Sequence, residues 1–487
     1  MDLDIDACYR AFCTRDPRFD GRLFSGVKTT GVYCRPICPA RTPKRENMLF
    51  FPTAAAAQEA GFRPCLRCRP ETVPELAAWR GTSNTVSRAL SLIEHGALDE
   101  AGVGELADRL GVGERQLRRL FREHVGASPI AVRQTRRVLL ALQLIRETRL
   151  SIADVALASG FGSIRRFNEV FQRLYRRSPT SLRRTSGTPS AGPQGEVSIL
   201  LRYRPPYDWP AMLEFLRDRA IPGVESVSDG RYARTIEIEG THGVVIVEAA
   251  AGHALKAAIR FPRLSALPAV IARIRRLFDL AADPHAIDAH LAEDSVLAPL
   301  VAARPGLRVP GAWDGFELVV RAVLGQQITV RAAAGLAAKL VARYGEQLRD
   351  PSLAVDGLSH VFPRPECVAL ADPATLAMPM TRGRALTSLA SAVARDPGIL
   401  CSSQEPAACV KRLRAFAGVG DWTAEYIAMR QLREPDAFPA DDVGLQRAIA
   451  RRDGRRPTSR ELVGLAERWR PWRAYAAQHL WTSLARG

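Results

Sequence analysis

The sequence predicts a multidomain protein in which a small α+β domain and an all-helical domain precede an α/β segment and a second all-helical domain. Three observations predict this order. The chain has 487 residues, and domains average about 150 residues, which suggests about three domains. Six of its nine cysteines fall within the first 68 residues. Finally, the hydrophobic spacing changes from helical to alternating at Val197 and returns to helical after Trp313.

The charge balance indicates a polyanionic partner. Lys and Arg total 69 against 51 Asp and Glu, which leaves a formal net charge of +18. Residues 1–190 hold 31 of the basic and 19 of the acidic residues, so +12 of the excess lies there. Such an excess is typical of nucleic-acid-binding proteins. There is no run of about 18 uncharged apolar residues, and the acidic first residues do not resemble a signal peptide. We therefore expect neither a membrane span nor secretion.

Composition divides the chain into four domains and one linker. Residues 1–78 combine cysteines with Pro and Gly turns, and residues 82–184 show helical spacing with dense arginine. The segment TSGTPSAGPQG at residues 185–195 is small and polar, which predicts a flexible linker. Residues 196–305 contain the alternating segments of an α/β subdomain. Residues 306–487 have the pattern of helices joined by short turns.

Two close cysteine pairs predict a metal site. Three residues separate Cys34 from Cys38, and two separate Cys65 from Cys68. Tetrahedral Zn²⁺ bound by four thiolates needs this kind of arrangement, and without a secretory context the pairs favour metal over disulfides. From spacing alone, a purely structural zinc ion is the simpler alternative. Two further cysteines lack matching partners and are expected to be buried structural thiols: Cys8 and Cys13.

The residues around these pairs closely resemble the N-terminal domain of Ada, the adaptive-response regulator. The resemblance rests on VKTTGVYCRPIC at residues 27–38 and GFRPCLRC at residues 61–68, and it covers about residues 5–75. It implies a small α+β zinc domain with one Zn²⁺. There, Cys34 is both a ligand and the acceptor of a methyl group from a DNA methylphosphotriester, which requires a thiolate. Nearby arginines are expected to hold the DNA backbone: Arg35, Arg41, Arg63, Arg67 and Arg69.

Two helix-turn-helix units are predicted within residues 100–184. VGELADRLGVG at residues 103–113 gives a helix and a Gly-containing turn before a second helix, and GFGS at residues 160–163 forms a similar turn. Together they resemble the all-α, double helix-turn-helix domain of the AraC type, which also follows the thiol domain in Ada. Four positions on the second helices are expected to read base edges, although phosphate or solvent contact is the alternative for each: Gln116, Arg119, Arg165 and Arg166.

A tight hairpin and a pair of carboxylates mark the C-terminal half. FAGVGDWTA at residues 416–424 predicts helix, hairpin and helix, in which Gly418 and Gly420 permit close approach of a phosphate. FPADDVGL at residues 438–445 places two carboxylates at a helix start. The combination resembles the helix-hairpin-helix DNA glycosylases, specifically the 3-methyladenine glycosylase II type called AlkA, over about residues 198–482. It implies an α/β N-terminal glycosylase subdomain and an all-α helix-hairpin-helix domain.

This second resemblance implies that Asp442 is the catalytic aspartate, and Asp441 is expected to cap the helix instead. An alkylated purine already carries positive charge, so the main requirement is an anion near the developing oxocarbenium ion. Lyase-type relatives carry Lys just after the hairpin, where this chain has Trp422, so strand cleavage through a Schiff base is not expected. The predicted substrate-binding residues are Trp422, Trp481, Tyr426 and Gln326, with Trp313 as a further aromatic candidate. For any one aromatic residue, a plain core position is the alternative.

The resemblances together predict an Ada–AlkA fusion: a methylphosphotriester-sensing transcriptional regulator joined to a monofunctional glycosylase for alkylated purines. One alternative is a glycosylase whose N-terminal half only targets it to DNA, without transcriptional activation. Another is a transcription factor whose glycosylase half is inactive. The expected partners are double-stranded DNA, both damaged and promoter DNA, and RNA polymerase. The expected form is a cytoplasmic, nucleoid-associated monomer.

Overall fold

The computed structural model describes residues 4–73, 84–94, 96–98, 101–184, 195–376, 378–400 and 406–484. The predicted linker 185–195 lies outside the described residues except for Gly195, and so does the boundary predicted between residues 78 and 82. The chain divides into two compact units, which are described separately below. The first comprises residues up to Tyr203 together with Arg263–Ala272, and the second comprises Arg204–Pro262 and the residues from Arg273 onward.

The first unit begins with a small α+β fold. Its elements are α1 (Ile5–Cys13), β1 (Phe24–Val27), β2 (Val32–Cys34), β3 (Met48–Phe51), α2 (Ala54–Glu59) and β4 (Arg63–Pro64). The strands form a sheet in the order β3-β1-β2-β4, antiparallel except for the parallel pair β2–β4. Tyr33 is fully buried in a small core with Phe24 and Phe62, which fixes the middle of this sheet. The predicted α+β class is confirmed.

Seven helices follow in the described residues up to 184, as the helical spacing predicts. They are α3 (Asn84–Glu94), α4 (Val103–Arg109), α5 (Glu114–His124), α6 (Pro129–Glu147), α7 (Ile152–Ala158), α8 (Ile164–Tyr175) and α9 (Pro179–Arg184). The long helix α6 starts where Pro129 follows Ser128, whose side chain accepts the Ala131 N–H. The two predicted helix-turn-helix units correspond to α4–α5 and α7–α8.

The strand β5 (Glu196–Arg202) also belongs to the first unit. Its residues alternate between buried and half-buried, as the sequence pattern predicts. Helix α6 binds both backbone groups of Leu200: Gln143 Nε2 donates to the Leu200 carbonyl over 2.7 Å, and the Leu200 N–H donates to Glu147 over 3.0 Å. Leu200, in the segment after the predicted linker, is therefore held on α6.

The second unit combines an antiparallel meander with many helices. The α/β part contains α10 (Trp209–Arg219), β6 (Glu225–Ser228), β7 (Arg231–Ile238), β8 (Thr241–Ala250) and β9 (Ala254–Arg260). Each of these strands pairs antiparallel with the next, with Val227 opposite Tyr232 and Ile246 opposite Ala258. This confirms the predicted α/β subdomain.

The remaining helices are α11 (Leu267–Leu277), which contains the boundary between the units, α12 (Pro284–Leu291), α13 (Ala298–Ala303), α14 (Gly315–Leu324), α15 (Val330–Tyr344), α16 (Pro365–Ala369), α17 (Met380–Arg395), α18 (Pro406–Arg414), α19 (Asp421–Arg430), α20 (Val443–Asp453), α21 (Ser459–Ala466) and α22 (Arg473–Leu484). Helix α14 is apolar on nearly every side and forms the centre of this bundle. Its one buried carboxylate, Glu317, pairs with Arg234 of β7 over 2.7 Å, because a buried charge requires a partner.

None of the helices in the described ranges has the length and apolar character needed to cross a membrane.

Candidate functional site

Parallel pairing of two short strands brings the two cysteine pairs together. Tyr33 lies opposite Pro64 in the β2–β4 pair, and the Cys65 N–H donates to the Tyr33 carbonyl over 3.0 Å. Because Cys34 ends β2 and Cys65 directly follows β4, both pairs meet at the same end of the sheet. The four Sγ atoms are buried and lie within 4.8 Å of one another: Cys34, Cys38, Cys65 and Cys68.

The thiol cluster fits one tetrahedral Zn²⁺. Zn–S bonds of about 2.3 Å separate the sulfurs of a tetrahedron by about 3.8 Å, which this cluster can meet with little movement. The hydrogen bonds among the four thiols raise the pKa of Cys34 and lower that of Cys38, so the thiols compete for protons. A divalent cation removes that conflict by stabilising all four as thiolates. The donor set is therefore that of a single four-thiolate zinc site.

Arg35 supports this cluster from inside the fold. Its guanidinium donates to Asp20 over 2.8 Å, to the Cys68 carbonyl over 3.0 Å and to Thr72 over 2.8 Å, and its backbone N–H points at the Cys68 sulfur over 3.4 Å. Only 6% of Arg35 is exposed. The expectation that Arg35 holds the DNA backbone is wrong, because its donors tie the second cysteine pair to the first.

Arg69 also forms ion pairs within the first unit. It pairs with Glu71 over 3.2 Å and with Glu147 of α6 over 3.0 Å, and Glu71 also pairs with Arg146. The ion-pair cluster joins the cysteine-rich fold to the helical domain.

Of the other arginines proposed for the backbone, Arg41 and Arg67 are exposed and Arg63 is half-buried. Among the unmatched cysteines, Cys8 is buried as expected but Cys13 is exposed.

The recognition helices have the amphipathic pattern that the sequence predicts. Leu117 and Phe121 of α5 are fully buried, as are Phe167 and Phe171 of α8, so the basic residues between them face outward. All four predicted base-reading residues are exposed: Gln116, Arg119, Arg165 and Arg166. Arg165 pairs with Glu169 one helical turn away over 2.9 Å, an exposed pair that DNA phosphate could displace at small cost.

The hairpin between α18 and α19 has the glycine geometry that its sequence predicts. Gly418 has a φ of +81°, and a Cβ there would lie 3.0 Å from that of Ala385. Gly420 precedes α19, and a Cβ there would meet no atom of the described residues within 4 Å. Gln326 donates to the Gly418 carbonyl over 2.7 Å and to Thr423 over 3.3 Å. Gln326 therefore supports the hairpin, while its predicted contact with a base stays a prediction.

Asp442 lies between two tryptophans. Its Oδ2 accepts from Trp422 Nε1 over 2.7 Å, and its Oδ1 accepts from Trp481 Nε1 over 2.8 Å. Oδ1 also accepts the Leu445 N–H over 2.9 Å, which makes Asp442 the N-cap of α20. The expectation that Asp441 caps this helix is wrong: Asp441 is exposed, and the cap is the next residue. One carboxylate thus both caps the helix and faces the two indoles.

Three aromatic rings lie beside this carboxylate. Tyr426 stacks on Trp422 with centroids 5.1 Å apart and planes 10° apart, and it meets Trp481 nearly edge-on at 6.3 Å. Burial raises the pKa of Tyr426, but the positive charges of Arg430 and Arg219 lower it by more. The pKa of Tyr426 therefore lies below its ordinary value. The structure thus brings together the three predicted aromatic residues. Trp313 is instead buried beneath Arg234 and Arg273.

Sequence reasoning missed Gly444. A Cβ at this position would lie 2.8 Å from Asp442 Oδ1 and 3.2 Å from the Trp481 ring, so any side chain would displace the carboxylate from the indole. The available signal was a glycine in the first turn of a helix, where it costs conformational entropy without supplying a cap.

Comparison with known proteins finds four family matches along the chain. The family described as the metal binding domain of Ada matches residues 7–71, and a helix-turn-helix domain family matches residues 106–185. The AlkA N-terminal domain matches residues 198–314, and the HhH-GPD superfamily of base excision DNA repair proteins matches residues 320–473. The fold and sites therefore define a chain that joins an Ada-type regulatory half to a helix-hairpin-helix repair half.

Whole-chain similarity gives the family. A Mycobacterium tuberculosis protein named "probable bifunctional transcriptional activator/DNA repair enzyme AlkA" is 43% identical over 490 residues, which covers 99% of this chain and 97% of that one. This chain belongs to that family of AlkA-type bifunctional proteins. The Escherichia coli protein named "DNA-3-methyladenine glycosylase 2" is 38% identical over 285 residues, covering 58% of this chain and 95% of that one.

Among solved structures, the 3-methyladenine DNA-glycosylase of Archaeoglobus fulgidus aligns with this chain over 58% of this chain and 96% of that one. Its TM-score is 0.52 and its sequence identity is 22%. At this identity the match supports the fold of the repair half alone.

Proposed function

We propose that this protein answers alkylation damage to DNA in two ways. Its N-terminal half is a methylphosphotriester-sensing transcriptional regulator, and its C-terminal half is a DNA glycosylase that excises alkylated purines such as 3-methyladenine. The names of its Mycobacterium tuberculosis and Escherichia coli relatives support both halves. The observation that carries the glycosylase half is the carboxylate of Asp442 held between two indole N–H groups beside an aromatic cluster.

Base excision here needs an oriented anion more than an acid. A purine alkylated at N3 or N7 is cationic, so it leaves as a neutral base when its bond to C1′ breaks. The sugar then develops oxocarbenium character, which the charge of Asp442 stabilises. Three N–H donors fix the direction of this carboxylate before the substrate arrives, and such preorganisation is what makes an electrostatic group effective. Water adds to C1′ and releases its proton, which leaves an abasic site.

The aromatic rings supply the preference for damaged bases. The target nucleotide must leave the stack to reach Asp442. The π faces of Trp422, Tyr426 and Trp481 attract a cationic ring more strongly than a neutral one. Trp422 occupies the position of the lyase lysine, and its ring nitrogen is committed to Asp442. The reaction therefore ends at base release.

At the hairpin, DNA phosphate is the proposed ligand. The space at Gly420 is open and the first N–H groups of α19 follow it directly. Backbone N–H groups at a helix start bind phosphate without a side chain. Gln326 donates to the Gly418 carbonyl, and this bond would help the hairpin keep its shape when the phosphate binds.

Cys34 is the proposed methyl acceptor. Bound zinc would hold it as a thiolate at neutral pH. Its sulfur attacks the methyl carbon of a phosphotriester, so an S–C bond forms, the C–O bond breaks, and a phosphodiester anion leaves. The product is a thioether at Cys34, and this transfer occurs once per molecule. The exposed Arg41 and Arg67 are the arginines near the cluster that remain suited to the DNA backbone.

The helix-turn-helix half is the proposed reader of promoter DNA. The outward residues of α5 and α8 contact the major groove, and transcriptional activation requires RNA polymerase as a further partner. We propose that the protein acts on double-stranded DNA as a monomer, in the cytoplasm at the nucleoid.

Two experiments test the two halves. Methylated DNA is incubated with the purified protein and the released bases are separated by type; 3-methyladenine should appear, and its absence would refute the glycosylase half. A promoter reporter is then compared with and without a methylating agent. Induction that depends on Cys34 supports the regulator, whereas excision without induction supports a glycosylase that its N-terminal half only targets to DNA.

A further inference from the structure

A buried arginine lies behind the aromatic rings that hold Asp442. Arg430 is 7% exposed at the end of α19. Its Nε donates to the Pro310 carbonyl over 2.9 Å, and its Nη2 donates to the Gly311 carbonyl over 3.0 Å. The backbone carbonyl of Arg430 in turn accepts the Ala312 N–H over 3.2 Å. Three hydrogen bonds therefore fix Arg430 to residues 310–312, two from its guanidinium and one to its backbone carbonyl.

The remaining nitrogen of this guanidinium points to the aromatic cluster. Arg430 Nη1 donates to the hydroxyl oxygen of Tyr426, and the guanidinium carbon lies 5.2 Å from the centre of that ring. On another side it lies 4.8 Å from the ring of Phe215. A planar fork can satisfy two carbonyls and a phenol at once, which a lysine ammonium on a flexible stem does less rigidly.

The contacts form a continuous path to the carboxylate. Arg430 fixes the Tyr426 hydroxyl, the Tyr426 ring stacks on Trp422 at 5.1 Å, and Trp422 donates to Asp442 over 2.7 Å. We propose that Arg430 is a positioning residue for base excision, which acts through the Tyr426 hydroxyl to set the place of Trp422 and hence of Asp442. This inference rests on the proposed glycosylase function.

A double-mutant cycle tests the path. Single-turnover excision rates and DNA affinity are measured for Arg430→Met, Tyr426→Phe and the double variant. A small misplacement of a catalytic group can cost up to about 10²-fold in rate, so Arg430→Met should slow excision by about 10- to 10²-fold with little change in DNA affinity. The double variant should be no slower than the slower single variant, because both remove the same link. Losses that multiply would overturn the proposal.

A neighbouring arginine gives the matched control. Arg433 is also partly buried, and it donates to the adjacent Val309 carbonyl over 2.8 Å, with Asp279 as its other partner. No aromatic contact of Arg433 with the three rings occurs in the described ranges. Arg433→Met should lower stability while the folded fraction excises at the wild-type rate. An equal loss of rate in Arg433→Met would mean that Arg430 contributes packing alone, and the proposal would fail.

A titration without substrate separates this inference from the proposed function. The tyrosinate absorbance of Tyr426 is isolated as the difference between a protein and its Tyr426→Phe variant. Loss of the guanidinium should raise the pKa of Tyr426, so its phenolate should form at higher pH in Arg430→Met than in the wild type. An unchanged titration refutes the link between Arg430 and Tyr426. A wild-type protein that releases no alkylated base refutes the glycosylase function whatever the titration gives.

Discussion

The two proposed reactive centres of this chain are built in opposite ways. Cys34 is buried, 8% exposed, among three further thiols, and the surrounding backbone is tied by the buried Arg35. Asp442 is half-exposed and is held by N–H donors on one side, with aromatic faces beside it. In the proposed reactions the thiol is consumed and the carboxylate is returned. A thiol that reacts once can also be a structural part of its own domain. A carboxylate that acts repeatedly needs a fixed position that each new base can reach.

The largest effect that distinguishes the centres should come from Cys65→Ser. The wild type should carry about one zinc per chain, and the variant should lose it. Structural zinc contributes roughly 10–16 kcal/mol to the folding of zinc-finger peptides, so the cysteine-rich fold should open. Metal analysis and hydrogen exchange over residues 4–73 measure both changes.

The matched control is Cys13→Ser, which changes an exposed cysteine outside the cluster. It should keep its zinc. Excision of alkylated bases by Cys65→Ser should stay near the wild-type rate, since Asp442 belongs to the other unit. Zinc content unchanged in Cys65→Ser would refute the four-thiolate assignment.

A second large effect should come from Asp442→Asn. The substitution is nearly isosteric, so the N-cap and the hairpin should survive while the full charge beside the sugar is lost. Charge that acts only in the transition state lowers the barrier. One preorganised group of this kind is commonly worth roughly 3–4 kcal/mol, so we expect at least about a 10²-fold loss in single-turnover excision. DNA affinity should change little.

Asp441→Asn is the control for this charge. Asp441 is exposed and does not cap α20, so the variant should excise at close to the wild-type rate. If Asp441→Asn lost activity while Asp442→Asn kept it, the neighbouring carboxylate would be the catalytic one. Full activity in both variants would remove the basis of the proposed mechanism.

Gly444→Ala should have a smaller effect on the same centre. The new Cβ would lie 2.8 Å from Asp442 Oδ1, so the carboxylate or the Trp481 ring must shift. We expect about a tenfold loss in excision rate, because small misplacements at a reacting centre are costly. Gly464→Ala in α21 is the control: its Cβ meets nothing within 4 Å among the described residues. It should be stabilised by about 0.5–1 kcal/mol with the rate unchanged. Equal rates in both variants would mean that Gly444 has no such role.

The sequence predicts the fold class well because spacing reports local structure directly. The alternation in β5 and the burial of Leu117 and Phe121 follow from periodicity alone. The cysteine cluster is also predictable, since its ligands come in close pairs. What periodicity cannot reveal is which way a long side chain turns.

Three misassigned or overlooked residues illustrate this limit. Arg35 looks like a surface cation in sequence but folds back to the Cys68 carbonyl. The choice of cap between Asp441 and Asp442 depends on the residue at which α20 begins, and a shift of one residue would change it. Arg430, Tyr426 and Trp422 lie four residues apart on α19, but the last contact, from Trp422 to Asp442, joins α19 to the start of α20, so no local pattern contains the whole link.

The smallest expected effect concerns methylation of Cys34. Four thiolates on Zn²⁺ carry a net charge of −2, and a thioether at Cys34 reduces this to −1. A charge about 4 Å from a phosphate interacts with it by about 1 kcal/mol in water, so methylation should strengthen promoter binding by about fivefold for each adjacent phosphate. The gain should shrink with salt, because the screening length falls from about 10 Å at 0.1 M to about 3 Å at 1 M. Binding of methylated and unmethylated protein of equal zinc content is compared over this range.

Equal affinities with equal salt slopes would reject the electrostatic switch. A gain that persists unchanged at high salt would show that the methyl group acts through shape. In that case the buried position of Cys34, which distinguishes it from Asp442, would control regulation more than its charge does.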